Sequence, residues 1–152
     1  MTTKRHTPGG QALTELVLAV FRLNGRLLAA GDRLVSDLGL TSARWQVLGA
    51  IALAPSPQPV AWLARSMGLN RQGVQRIVNE MAEEGLVELR PNPNHRRAHL
   101  VALTRRGQDT FETASALQVP WANALAKGFS PEELAAMTRV TKLLSERLDK
   151  SV

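Results

Sequence analysis

The side chains best placed to do chemistry lie between positions 70 and 106. Gln72, Gln75, Arg76 and Asn79 fall on one side of a helix, with Arg71 at its flank and Asn70 just before it. At about 100° per residue the opposite side is Val74, Ile77, Val78 and Met81, an apolar stripe that has to face a core. Carboxamides can make paired hydrogen bonds to adenine edges, and arginine can do the same with guanine O6 and N7. A second cluster follows in the turn-rich stretch from Pro91 to Ala98, where His95, Arg96 and Arg97 stand together. Arginines at a loop tip can reach phosphate oxygens or enter a narrow minor groove, where negative potential is enhanced. Helix face and loop then divide the labour: base-edge contacts set sequence preference, and phosphate contacts set affinity and its salt dependence.

The charge distribution supports this reading. The chain of 152 residues carries a formal charge of +6, and Arg90–Arg106 holds five arginines and no acid. Acids gather instead in Glu80–Glu88 and Glu132–Asp149. Charge clustered in this way favours a polyanion as partner over an evenly solvated surface. With no cysteine in the chain, thiolate metal sites, cysteine nucleophiles and thiol-based redox sensing are excluded. His6, His95 and His99 do not make a metal site, since one lies near the N-terminus and two flank the loop. There is no nucleophile elbow and no glycine-rich phosphate loop, so neither an enzyme nor a cofactor is expected. No apolar run approaches the roughly 20 residues of a membrane span, and the stretch from Met1 to Pro8 lacks the apolar core of a signal peptide. The expectation is a soluble, cytoplasmic protein.

The elements that must position these residues follow from periodicity. Residues 1–10 read as a mobile tail. Leu13, Leu16, Val20, Leu23, Leu27, Ala30 and Leu34 form a helical stripe that keeps its phase across Asn24-Gly25, so one long helix should run to near Gly39. Thr41 can cap a second helix that turns Trp45, Leu48 and Ile51 inward. A proline-punctuated loop over residues 54–59 leads to a short helix with Leu63, Ala64 and Met67 inward. Gly68 breaks that helix, Asn70 caps the next, and Gly85 ends it. Residues 86–90 and 99–104 read as two strands of an antiparallel hairpin. The helix after Thr104 should be kinked or interrupted by Pro120. The last helix has a capping box at Ser130 and Glu133, with Leu134, Met137, Thr141, Leu144 and Leu148 along one face. Two short helices joined by a tight glycine turn and followed by a hairpin have the layout of a winged helix-turn-helix. The fold class is therefore mainly α (α+β).

Over residues 40–107 the chain resembles the multiple-antibiotic-resistance regulator (MarR) family of bacterial transcription factors. The resemblance rests on LTSARWQVLGAI, VAWLARSMGLNRQGVQRIVNEMAEEGLVEL and NPNHRRAHLVALTRRG. It implies a homodimer whose terminal regions, residues 11–39 and 105–152, interlock as a dimerisation domain. Residues 40–104 would then form the winged DNA-binding domain. The resemblance also implies a pseudo-palindromic operator on double-stranded DNA, a repressor role and a small aromatic or phenolic effector, without identifying the residues that bind it. Operator half-sites are expected ~10 bp apart, roughly 34–36 Å. Lack of cysteine excludes the thiol-based peroxide-sensing branch.

Two positions depart from the family pattern. His95 stands where an acid usually precedes the arginine pair, and Asn92 where another acid is typical, which predicts a more basic, less fixed and pH-sensitive wing. Trp62 replaces a commonly polar residue and is expected to pack against a neighbouring helix or subunit. Two competing readings are a winged-helix protein-interaction module and a non-specific DNA-binding protein. The first calls for an apolar or acid-facing surface on the second short helix; the second calls for equal binding to operator and random duplex.

Overall fold

The computed structural model describes residues 5–151. In chain order the elements are α1 (Pro8–Val35), α2 (Ser42–Ala52), β1 (Gln58–Pro59), α3 (Val60–Met67), α4 (Arg71–Glu83), β2 (Val87–Arg90), β3 (Leu100–Leu103), α5 (Arg105–Leu125) and α6 (Pro131–Asp149). Two compact units result, one ending at Leu117 and the other beginning at Gln118.

In the first unit, α1 begins earlier than its sequence suggests. Thr7 accepts a hydrogen bond from the Gly10 amide (3.0 Å), and Pro8 occupies the first turn, where its missing N–H costs nothing. The tail expected over 1–10 is therefore corrected at residues 8–10, which are helical; residues 1–4 lie outside the described residues. Gly25 sits within α1 without breaking it. The helix gives way to one tighter turn at Ser36–Leu38 and ends on Gly39 in the left-handed region. Thr41 caps α2, as expected, by accepting from the Arg44 amide. The α1–α2 joint is bound twice more: the Ser42 amide donates to Asp32 Oδ1 (2.7 Å) and its hydroxyl to the Leu28 carbonyl (2.6 Å).

The expected proline loop contains a strand. Gln58 and Pro59 form β1 and pair antiparallel with β3, Gln58 opposite Val101 and Pro59 opposite Leu100. The sheet order is β1-β3-β2, so the proline lies on an edge strand, where a missing amide donor breaks no interior ladder. β2 and β3 form the expected hairpin, with Val87 opposite Leu103 and Arg90 opposite Leu100. Its strands are slightly shorter than the apolar runs suggested.

One core unites these elements. Leu48 from α2, Leu63 from α3, Val74, Val78 and Met81 from α4 and Val101 from β3 are fully buried together. Each large apolar side chain so buried contributes roughly 1.5–3 kcal/mol. Val47 joins them although the expected inward face of α2 omitted it. Trp62 is half-buried against the same core.

α5 is continuous through Pro120, so the expected interruption does not occur. The carbonyl that loses its donor belongs to Ala116, and both residues are exposed, so water can satisfy it. Thr104 ties the start of α5 to the end of α4. Its hydroxyl donates to the Gly85 carbonyl (2.7 Å) and accepts from the Gly107 amide (3.0 Å). Gly107 is buried there, and a methyl group on it would overlap the Leu86 carbonyl oxygen.

In the second unit, α6 starts on the expected capping box. The Glu133 amide donates to Ser130 Oγ (3.1 Å), and the Ser130 amide donates to Glu133 Oε2 (2.8 Å). Leu134, Met137, Thr141 and Leu148 are exposed and Leu144 is half-buried in the single chain.

Replacing Gly107 by alanine forces backbone to move where α5 meets the α4–β2 turn. Gly107→Ala is expected to cost about 3 kcal/mol of stability. A urea denaturation midpoint equal to that of the parent protein would show that the approach is not tight.

Candidate nucleic-acid interface

The face that α4 presents is set by its cap and its buried stripe. Asn70 Oδ1 accepts hydrogen bonds from the Gln72 amide (2.8 Å) and the Gly73 amide (3.3 Å), starting the helix where the sequence predicts. Gly68, at φ +64°, makes the left-handed turn that separates α3 from α4. With Val74, Val78 and Met81 buried, the helix cannot rotate about its axis without exposing them. Arg71, Gln72, Arg76 and Asn79 are consequently exposed, and Gln75 is half-buried. They line one open groove of about 570 Å³, together with Glu80 and Glu83.

Within that groove Gln75 Nε2 donates to Asn79 Oδ1 (2.9 Å), which fixes two amides one turn apart as a pair. Arg76 is far freer. Its side chain is 75% exposed, and its nearest acid, Glu80, is 3.9 Å away. Exposed pairs one helical turn apart are worth about 0.3–0.5 kcal/mol, and the order here, arginine before glutamate, is the weaker one. Little holds this guanidinium in place.

Glu80 has a better partner. Arg44, from α2, reaches Glu80 at 3.2 Å and Glu84 at 2.8 Å with separate guanidinium nitrogens. The hydrogen bond to Glu84 holds the Arg44 guanidinium above its usual pKa range; burial opposes this, and Glu80 adds to it. Arg106 completes the end of α4 by donating to the Glu84 carbonyl (2.6 Å).

The wing tip is built from turns. Asn92 Oδ1 accepts from the Asn94 amide (3.0 Å), the His95 amide donates to the Asn92 carbonyl (3.3 Å), and the Ala98 amide to the His95 carbonyl (3.1 Å). Asn92, in a place where an acid is typical, thus orders the tip through the backbone. His95, Arg96 and Arg97 are all exposed, and neither arginine is ion-paired among the described residues.

The wing and α4 adjoin. Arg71 and Gln75 share a recess of about 70 Å³ with Arg97 and His99, lined also by Pro59, Val60 and Ala61. Of the wing residues singled out in the sequence, Arg97 lines this recess, whereas His95 and Arg96 do not. Sequence reasoning missed His99 here, and it missed Arg44 and Glu80 in the groove. Arg44 was hidden because its acids lie 36 and 40 positions away.

A short helix, a glycine turn, an exposed second helix and a three-stranded wing define a winged helix-turn-helix. Residues 38–98 match the family model described as the MarR family. An uncharacterized protein of Mycobacterium tuberculosis is 37% identical over 124 residues, covering 82% of this chain and 85% of its own. Among solved structures, the MarR family transcription regulator SP03579 is 28% identical with TM-score 0.77, over 92% of each chain. CouR of Rhodococcus jostii RHA1, solved with p-coumaroyl-CoA bound, is 25% identical with TM-score 0.70, over 83% of this chain and 87% of its own. The chain belongs to the MarR family of DNA-binding transcription regulators.

The Asn70 cap satisfies amides that nothing else in α4 can serve. Asn70→Ala is expected to cost about 1 kcal/mol, and Asn70→Ser to retain most of that stability. Chemical denaturation of both variants is the check; equal losses would mean that the side chain acts by something other than capping.

Proposed function

We propose that the protein is a sequence-specific repressor that binds a pseudo-palindromic operator as a homodimer and responds to a small aromatic or phenolic ligand. The observation that carries this reading is the outward face of α4, where amides and guanidinium groups share an open groove beside the arginine-bearing wing. In this reading Gln72, Gln75, Arg76 and Asn79 meet base edges in the major groove, while Asn70 and Arg71 approach the backbone at the helix start. Arg96 and Arg97, with His95, grip phosphates or the adjoining minor groove. A face of this polarity supports base reading over the docking of an apolar protein surface.

The homodimer is supported by apolar surface that a lone chain leaves in water. Leu13, Val17, Val20, Leu27 and Phe21 on α1 are exposed, Phe21 at 69%. On α6, Leu134, Met137, Val140, Leu143 and Leu148 are exposed as well. Exposed apolar patches on this scale mark an interaction surface, and residues 11–39 and 105–152 supply it as the dimerisation region. Two copies related by a two-fold axis would then present two α4 helices to one operator. Support for an effector comes from CouR, whose ligand carries a phenolic ring.

The wing and the helix predict different signatures. Arg96→Ala and Arg97→Ala should weaken binding to every duplex and flatten the dependence of log K on log salt, by roughly one unit of slope for each phosphate no longer neutralised. Gln75→Ala and Arg76→Ala should instead alter which base pairs are selected, by roughly 1–3 kcal/mol for each bidentate base pairing removed. Unchanged slopes in both wing variants would take the wing off the DNA. An unchanged selection profile in both helix variants would move base readout away from α4.

A further inference from the structure

Glu80 is an acid in a groove that the proposed function gives to DNA. It lies one turn beyond Arg76 on the same helix, and both side chains line that groove. Two cations claim it. Arg44 holds one carboxylate oxygen at 3.2 Å, and Arg76 stands 3.9 Å from the other. No third cation pairs with Glu80 among the described residues. Arg44 is also the better anchored of the two. Its side chain is only 18% exposed, it binds Glu84 at 2.8 Å, and its guanidinium lies 3.5 Å from the Gly39 carbonyl. It therefore belongs to the α1–α2 junction and the α2–α4 packing, not to the DNA-facing surface.

Resting on the reading of α4 as the base-reading helix, we infer that Arg44 is a positioning residue for Arg76: by holding Glu80 against α2 it leaves the Arg76 guanidinium available to a base pair. The physics is a competition for one carboxylate. A forked guanidinium can satisfy two carboxylates at once, which a point charge does less well, and Arg44 does so with Glu80 and Glu84. When Arg44 loses its charge, Glu80 has Arg76 as its remaining cationic partner and draws it along the helix. The carboxylate also gains freedom to repel the phosphates of the duplex. Both effects act on DNA recognition through a residue that never touches DNA.

The test uses a duplex enriched by the parent protein from a random-sequence pool, and a scrambled duplex of the same composition. Arg44→Met keeps the aliphatic stem and removes the charge. It is expected to bind the enriched duplex about 10-fold more weakly or worse, and to discriminate less between the two duplexes. Adding Glu80→Gln to Arg44→Met is expected to restore most of the affinity and the discrimination. Neutralising Glu80 also relieves a carboxylate left unpaired, so the signature of positioning is lost and regained discrimination in variants whose melting temperatures match the parent's. Thermal melts accompany each measurement, and Arg44→Gln, which keeps a donor for Glu84, repeats the comparison should Arg44→Met melt early. Binding by Arg44→Met at the parent level overturns the inference. So does a double variant that binds as weakly as the folded single variant. A parent protein that fails to distinguish the two duplexes overturns the base-reading role of α4 itself, and the inference with it.

Discussion

The rotation of α4 about its own axis is the constraint from which the rest follows. Val74, Val78 and Met81 are buried against α2 and α3, together with Leu48 and Leu63. A turn of the helix by one residue would expose part of this stripe and drive polar side chains into the core, at a cost of several kcal/mol. The helix is therefore held in one orientation, and the side chains it shows are those left over. Asn70 fixes where the helix begins and Gly68 fixes the angle at which it leaves α3. Site and core are two sides of one amphipathic segment.

Charge is arranged around that face by the same economy. α4 carries acids toward its C-terminal end, an unfavourable sign for a helix facing a polyanion. Arg44 draws Glu80 and Glu84 toward α2, and Arg106 takes the Glu84 carbonyl, so the end of α4 is tied to α2 and α5. Arg76, Arg96 and Arg97 stay exposed: Arg76 has the 3.9 Å approach to Glu80, and neither wing arginine is ion-paired among the described residues.

What the sequence made legible is what depends on neighbours along the chain. The caps at Thr41, Asn70 and Ser130 each bond amides two or three residues on, so they can be read from local spacing. The buried stripe of α4 is legible for the same reason. The winged layout and the exposed arginines of the loop tip followed from period and turn chemistry. β1 was not legible, because Gln58 and Pro59 become a strand only by pairing with Val101 and Leu100 beyond α4. The continuity of α5 through Pro120 was not legible, because the cost of the lost hydrogen bond depends on whether its turn is exposed. The early start of α1 hinged on Thr7 capping a turn that contains two glycines, which composition alone marked as mobile. Arg44, Glu80 and His99 escaped notice because their roles arise from packing between distant segments.

In the proposed function, two copies of α4 and its wing read one duplex. Selection from a random-sequence pool by the parent protein, followed by sequencing, tests this most directly. The predicted result is enrichment of two inverted half-sites with centres about 10 bp apart. A retained pool with no repeated half-site, or with no sequence preference at all, would contradict it.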